Sequence, residues 1–121
     1  MARILVIDDD AQIRELLRVI LERAGYEAVT APDGKVGTRM YREEPADLVI
    51  TDLIMPQKEG IETIIELRRD FPGVKIIVIS GGGTIDAEEY LRMAKTLGAQ
   101  RIFSKPFGMA EMLEAVQELL R

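Results

Sequence analysis

The sequence predicts an α/β protein of the doubly wound class, a (βα)₅ chain that folds into a five-stranded parallel sheet. Strand-length runs of Ile, Leu and Val alternate with longer segments in which apolar residues recur every three or four positions. Three of the apolar runs are almost continuous, which is typical of strands covered by helices on both faces. Strands and helices that alternate through short connections form parallel sheets with right-handed crossovers.

The five predicted strands are the apolar runs themselves. The first, third and fourth are the nearly continuous ones, and a segment of helical periodicity follows each of them. In chain order the strands are RILVID (3–8), YEAVTA (26–31), DLVITD (47–52), VKIIVIS (74–80) and RIFS (101–104).

The helices are predicted from apolar stripes and from residues that begin or end helices. Asp10 and Asp33 stand where helix N-caps are expected. Gly25 is predicted to end the first helix and Pro45 the second, and the segments 71–73 and 97–99 end the third and fourth. The stripe of the first helix comprises Ile13, Leu17, Ile20, Leu21 and Ala24, and that of the last comprises Met109, Met112, Leu113, Val116 and Leu120.

Length and composition indicate one globular unit. A chain of 121 residues suits a single core, so we expect residues 1–121 to form one domain. The chain is 47% hydrophobic and 31% charged, and it has neither a membrane-length apolar run nor a leader, which favours a cytoplasmic protein without membrane contact. A net charge of −5 without a dense basic cluster argues against direct binding of nucleic acid.

The chain contains no cysteine and no histidine. This excludes disulfides, thiolate nucleophiles, zinc sites built on either residue, and imidazole base catalysis. Any chemistry must therefore rest on carboxylates, hydroxyls, lysine, arginine, tyrosine and a borrowed cation.

Polar residues gather at the carboxyl ends of the predicted strands, where ligands bind in sheets of this class. Such a sheet brings the first and third strands together, so Asp8, Asp9 and Asp52 should converge. Like charges about 4 Å apart repel by roughly 1 kcal/mol in water and about 4 kcal/mol near a protein surface, so the cluster needs a cation. Oxygen ligands without nitrogen or sulfur suit Mg²⁺. Lys105 and Ser80 follow the fifth and fourth strands and supply a second positive charge and a hydroxyl.

These groups suit a phosphoryl group, whose transfer depends mainly on positioning and on neutralising its oxygens. A carboxylate can act as the nucleophile. Asp52 is the candidate because it is the lone acid at the carboxyl end of the third strand, and the pair Asp8 and Asp9 is better placed to ligate the cation.

The motifs VIDDD, VITDLIMP, EG, VIS and SKPF stand in the order and spacing of the response-regulator receiver domains of two-component signalling. The chain resembles this family, which includes CheY, over essentially all of its residues. The resemblance implies a flavodoxin-like (CheY-like) sheet with strand order 2-1-3-4-5. It also implies a phosphoprotein that acts as a signalling switch and catalyses only its own phosphorylation and slow dephosphorylation.

The resemblance assigns a role to each site residue. Asp52 would accept the phosphoryl group from a sensor histidine kinase or a histidine phosphotransfer protein. Asp9 would ligate Mg²⁺ directly, with Mn²⁺ as a substitute, Asp8 would do so through water, and the backbone carbonyl of Ile54 would complete the protein ligands. The phosphate would contact Lys105.

Further residues match the signalling part of the family pattern. The hydroxyl of Ser80 would move toward the phosphate, and Pro56 and Gly60 match the turn after the acceptor. Pro106 stands where the family often has a cis peptide bond. Output through an unknown partner or effector domain, and a homodimer through the fourth helix, fifth strand and fifth helix, both stay open at this point.

Two features depart from the family pattern. Ile102 occupies the position at which receivers usually carry a Tyr or Phe that rotates on activation, and Phe103 should face the other side of its strand. The segment GGGTID (81–86) lengthens the loop after Ser80, and its glycines give the backbone freedom. Because Ile102 replaces the usual aromatic residue, we predict that this loop carries more of the signal than in a typical receiver. Ile54 and Asp10 stand at positions that influence the lifetime of the acyl phosphate.

Two other functions share parts of this pattern. Phosphatases of the haloacid-dehalogenase type also use a nucleophilic aspartate, but they place a second Asp two residues later, where this chain has Ile54. A nucleotide or flavin module could use the glycines at 81–83, yet the loop lacks G-K-[ST] and no G-x-G-x-x-G follows the first strand.

Overall fold

The computed structural model describes residues 1–53, 59–80 and 87–121. Five strands alternate with five helices, and each predicted element is present. In chain order they are β1 (Arg3–Ile7), α1 (Ala11–Arg23), β2 (Glu27–Ala31), α2 (Gly34–Glu43), β3 (Leu48–Asp52), α3 (Glu59–Asp70), β4 (Ile76–Ser80), α4 (Ala87–Leu97), β5 (Arg101–Ser104) and α5 (Met109–Leu119).

The strands form one parallel sheet in the order β2-β1-β3-β4-β5, which confirms both the predicted (βα)₅ class and the strand order that the resemblance implied. The three central strands are the nearly continuous apolar runs, and β3 and β4 are buried throughout. The outer strands β2 and β5 are partly exposed because each has a neighbouring strand on one side only. Continuous hydrophobicity therefore identified the middle of the sheet.

Alternate residues of each strand supply two cores, one on each face of the sheet. Leu5 and Val49 pack with residues of α2 and α3, whereas Val6 and Leu48 pack with residues of α1 and α5. Both cores pack against the central strands, one on each face. This close packing holds the carboxyl ends of β1, β3 and β4 in fixed positions relative to one another.

Truncation of a central core residue is expected to destabilise the fold strongly. Leu48 is fully buried in β3, so Leu48→Ala should lower the free energy of unfolding by about 2–5 kcal/mol through lost apolar burial and a residual cavity. Ile65 on α3 is 54% exposed, and Ile65→Ala should change stability by no more than about 0.5 kcal/mol. Urea unfolding of both variants measures the contrast, and equal losses would contradict this assignment of the core.

Several boundaries differ from the predicted ones. β1 ends at Ile7 instead of Asp8, because the carbonyl oxygen of Asp8 accepts a bond from the Arg14 side chain. β2 begins one residue late because the Tyr26 amide bonds back to Leu21 in α1. β3 begins at residue 48 and β4 at residue 76, and α2 ends at residue 43, before the proline predicted to close it.

The helix ends otherwise follow the prediction, with one correction. Asp10 and Asp33 are the N-caps of α1 and α2, and their carboxylates accept backbone N–H bonds of the first turn. Gly25 has a positive φ of 96° just after α1, a conformation that favours glycine. Ala24, placed by prediction in the buried stripe, is instead the exposed C-cap of α1 and lies beyond the last residue of the helix.

Some predictions fall on residues that the structure does not describe. They concern the carbonyl of Ile54, the turn at Pro56, and the loop GGGTID (81–86) with its predicted role in switching.

Candidate functional site

Three carboxylates meet at the carboxyl edge of the sheet. Asp8 directly follows β1 and Asp52 is the last residue of β3, and these two strands are neighbours. Asp8 is 1% exposed and Asp52 is 3% exposed, whereas Asp9 is exposed. One oxygen from each of the three lies within 4.8 Å of the others, a group that could hold a metal ion. The convergence predicted from strand order is therefore present.

The turn between β1 and α1 is fixed by side-chain bonds to the backbone. The Asp10 amide donates to Oδ1 of Asp8 at 2.8 Å, and Oδ1 of Asp10 accepts the Gln12 amide at 2.8 Å. Nη1 of Arg14 donates to the carbonyl oxygen of Asp8 at 2.7 Å. Asp10 thus serves the helix as its N-cap, while Asp8 is oriented toward the cluster.

Lys105 joins the two buried carboxylates. Its Nζ lies 3.1 Å from Oδ2 of Asp52 and 3.2 Å from Oδ2 of Asp8. Its backbone amide donates to the carbonyl of Ser80 at 2.9 Å, which ties the end of β5 to the end of β4. The peptide bond between Lys105 and Pro106 is cis, as the resemblance implied.

The neighbouring carboxylates change the pKa of Lys105. Burial alone would lower the pKa of its ammonium, but the hydrogen bond to Asp52 and the charges of Asp8 and Asp52 outweigh burial and raise this pKa above its ordinary value. The lysine therefore stays a cation at neutral pH. One ammonium still faces three carboxylates, so the cluster keeps an excess of negative charge.

The excess negative charge affects the pKa of Asp8. Burial raises the pKa of its carboxyl above the ordinary value, and repulsion from Asp52 adds to the rise, although the Asp10 amide and Lys105 act in the opposite direction. Within the described part of the chain, Oδ2 of Asp8 faces the Lys105 ammonium at 3.2 Å as an ion pair but has no partner of good hydrogen-bond geometry. A buried oxygen of this kind, beside two further carboxylates, fits a hard divalent cation.

Ser80 ends β4, next to β3 in the sheet. Its side chain is 1% exposed, and its Oγ has no hydrogen-bond partner among the described residues. A buried hydroxyl without a partner is costly, so it is available to a ligand that offers an acceptor.

Ile102 and Phe103 lie on opposite faces of β5, as predicted. Ile102 pairs with Val78 in register and packs against the core on the α2–α3 side, and Phe103 packs against the core on the α1–α5 side. Phe107 joins Phe103 there, with ring centroids 6.3 Å apart, and both rings are partly buried against that core. Ile102 offers no hydroxyl and no aromatic ring to the site.

Gly60 lets α3 approach the backbone at the end of β3 closely, a contact that the sequence did not reveal. A Cβ at this position would lie 2.4 Å from the carbonyl oxygen of Asp52 and 2.6 Å from that of Leu53. Real Cβ atoms do not come this close to backbone oxygen. The absence of a side chain at Gly60 therefore lets α3 pack directly against the backbone that presents Asp52.

Gly60→Ala is accordingly expected to lower stability by about 2 kcal/mol, because overpacking against rigid backbone outweighs the better helix propensity of alanine. Gly73 provides the matched control, since a Cβ there meets nothing within 4 Å. Thermal unfolding should show a clear loss for the first variant and almost none for Gly73→Ala. A neutral Gly60→Ala would show that the contact is easily relieved.

The comparison with known families decides the assignment. The model of the response regulator receiver domain matches residues 4–117, nearly the whole chain. The chain belongs to this family. The receiver domain is 34% identical over 118 residues to the chemotaxis protein CheY of Halobacterium salinarum, and the match covers 98% of this chain and 96% of that protein.

Two further similarities agree. Over 120 residues the receiver domain is 34% identical to the alkaline phosphatase synthesis transcriptional regulatory protein PhoP of Bacillus subtilis, and the match covers 98% of this chain but 48% of PhoP. The response regulator TrrA of Thermotoga maritima, whose crystal structure is a complex with Mg(2+)-BeF, superposes with a TM-score of 0.85 at 34% identity and covers 99% of this chain and 100% of its own. The chain thus spans about half the length of some relatives and nearly all of others.

Among the described residues, no helix is both long enough and apolar enough to cross a bilayer.

Proposed function

We propose that this receiver domain is a phosphoacceptor, and that a Mg²⁺-dependent reaction transfers a phosphoryl group from a partner phosphohistidine to Asp52. The observation that best supports this is the position of the Asp52 carboxylate, buried at a strand end beside Asp8, Asp9 and the ammonium of Lys105. Residues 1–121 contain no histidine, so the donor imidazole lies outside them, on a sensor histidine kinase or a histidine phosphotransfer protein, unless a small phosphodonor replaces it.

The transfer needs little from the protein beyond position and charge. An oxygen of the Asp52 carboxylate attacks phosphorus, the bond from phosphorus to the donor's imidazole nitrogen breaks, and its electron pair leaves with the imidazole. The product is an acyl phosphate on Asp52. Lys105, now 3.1 Å from Asp52, is placed to contact the new phosphate oxygens. Mg²⁺, when bound, neutralises charge that develops on the transferring group.

The metal would be held by Asp9 directly, by Asp8 through water, by Asp52, and by the backbone carbonyl of Ile54, which lies outside the described residues. The buried Oδ2 of Asp8, whose one charged partner is the Lys105 ammonium among the described residues, and the excess negative charge of the cluster support this set. Mn²⁺ accepts the same oxygen ligands and should replace Mg²⁺.

The signal would leave the site through Ser80. Its unpartnered Oγ would donate to the phosphate, and the movement would alter the loop between β4 and α4 and the face formed by α4, β5 and α5. Because Ile102 has no ring to rotate, the loop would carry a larger share of the change. Hydrogen exchange over residues 81–90 that is the same with and without phosphorylation would count against this route.

The wider setting follows as part of the same proposal. Residues 1–121 form one receiver domain in the cytoplasm, a signalling switch without membrane or direct nucleic-acid contact. An output partner or effector domain receives the signal, and a homodimer through α4, β5 and α5 is one form that the output can take. Steady release of phosphate from small phosphoesters over many turnovers would instead favour a phosphatase of the haloacid-dehalogenase type.

A thermal titration tests the metal part. At 100 times its dissociation constant Mg²⁺ should stabilise the fold by about 2.7 kcal/mol and raise the melting temperature by several degrees. Asp9→Ala should lose this rise, because it removes one of the three clustered carboxylates. Glu114→Gln, an exposed change on α5, should keep it. Full stabilisation of Asp9→Ala by Mg²⁺ would exclude Asp9 as a ligand.

A further inference from the structure

Arg14 contacts the backbone of the acidic cluster from outside it. It lies in the first turns of α1, and its Nη1 donates to the carbonyl oxygen of Asp8 at 2.7 Å. The amide of Asp8 still bonds to the carbonyl of Ala31 in β2 at 3.2 Å, but strand pairing ends at Ile7. The guanidinium thus donates a hydrogen bond to the Asp8 carbonyl, directly after the last paired residue of β1.

This carbonyl belongs to the peptide group that joins Asp8 to Asp9. Holding its plane fixes the direction in which the chain leaves Asp8. Asp9 is exposed, so the direction of its carboxylate depends on this backbone more than on packing. The Asp10 amide, which donates to Oδ1 of Asp8, is held by the same turn. Two bonds, from Arg14 and from Asp10, therefore set the geometry of the acidic pair.

The charge of Arg14 agrees with this role. A cation near the amino end of a helix opposes the helix dipole, so its position there requires a compensating interaction. In the described part of the chain, the Arg14 side chain donates to a carbonyl and pairs with no carboxylate. It consequently fixes the turn without occupying the oxygens that a metal ion would use.

We propose that Arg14 is a positioning residue for the metal site and acts through the carbonyl of Asp8. This role rests on the Mg²⁺ site proposed above. Partners that orient metal ligands from outside the coordination shell typically change metal affinity by about 10- to 100-fold when they are removed. Loss of the Arg14 contact frees the peptide group between Asp8 and Asp9, so the carboxylates must be ordered again each time the metal binds.

The test compares Mg²⁺ affinity and backbone order in the 121-residue chain. Arg14→Met keeps an unbranched, largely apolar side chain but removes its donors, and calorimetry should show a dissociation constant for Mg²⁺ about tenfold higher. In the metal-free protein, the Asp10 amide should exchange its hydrogen faster. Arg14→Lys retains a cationic donor and should recover most of the affinity. Arg18→Met is the control, because Arg18 on the same helix pairs with Glu15 and Glu22 on the surface.

The outcomes separate the two claims. The positioning role is overturned if the wild type binds Mg²⁺ and the dissociation constant of Arg14→Met for Mg²⁺ is within about twofold of the wild-type value. This holds even if the variant melts at a lower temperature. An equal loss in Arg18→Met also overturns it, because the effect would then belong to the helix in general. A wild type that binds no Mg²⁺ overturns the metal site and the positioning role together.

Discussion

Asp52→Asn is expected to abolish phosphorylation of the receiver domain. With a phosphodonor and Mg²⁺ the wild type should gain one phosphoryl group per chain, whereas the variant should gain none. Asparagine keeps the size of the side chain but lacks the carboxylate oxygen that attacks phosphorus. Intact-protein mass measured over time gives both values, and melting curves show whether the variant is folded.

A matched variant makes this result specific. Asp33→Asn changes the N-cap of α2, where Asn caps as well as Asp, so it should be phosphorylated like the wild type. Continued stoichiometric labelling of Asp52→Asn would mean that another residue accepts the phosphate. A phosphatase of the haloacid-dehalogenase type would use the same nucleophile, so Asp52→Asn alone does not distinguish it from a receiver. The number of turnovers does. A receiver should lose its single phosphate slowly and show no sustained phosphatase activity.

Asp8→Asn is expected to stabilise the metal-free protein and to remove its response to Mg²⁺. Burial and repulsion from Asp52 raise the pKa of Asp8, which means that its ionised form is disfavoured in the folded state. Replacing it with a neutral side chain of the same shape should increase the free energy of unfolding at neutral pH. The Oδ1 atom of Asn can still accept the Asp10 amide. The stabilisation of about 2.7 kcal/mol expected from saturating Mg²⁺ should be largely lost.

The effect of Asp8→Asn on stability should depend on pH. Because the folded-state pKa of Asp8 lies above its unfolded value, protonation favours the fold, and this contribution is complete below the unfolded value and lost as the pH rises through the folded one. The advantage of Asp8→Asn over the wild type should therefore be largest at neutral pH and shrink as the pH falls toward the ordinary Asp value of about 3.9. Urea unfolding without metal, at several pH values, measures it. A variant that is less stable than the wild type at neutral pH would contradict this account of the charge cluster.

The sheet could be predicted because its strands have a simple signature. Continuous Ile, Leu and Val identified β1, β3 and β4, and these proved to be the middle of the sheet. The ends were harder. Ala24 continues the helical period in sequence yet is exposed, and β1 stops before Asp8 because a side chain six residues later takes its carbonyl.

The candidate site shows the same division. Strand order alone brings Asp8, Asp9 and Asp52 together, and Lys105 was predicted as the second cation. The contacts of Gly60 and Arg14 could not be predicted, since each depends on how a helix end meets a particular carbonyl. A basic residue in the first turns of a helix, next to three acids, was the only sequence signal of the Arg14 contact.

The most direct test of the central claim is to locate the phosphoryl group on the wild-type chain. The protein is incubated with a phosphodonor, once with Mg²⁺ and once with a chelator, and peptide mass spectrometry assigns the modified residue. We expect a single base-labile acyl phosphate on Asp52 that forms with Mg²⁺ and not with the chelator. Phosphate on any other residue, or equal labelling of Asp52 without a divalent cation, would contradict the proposed function.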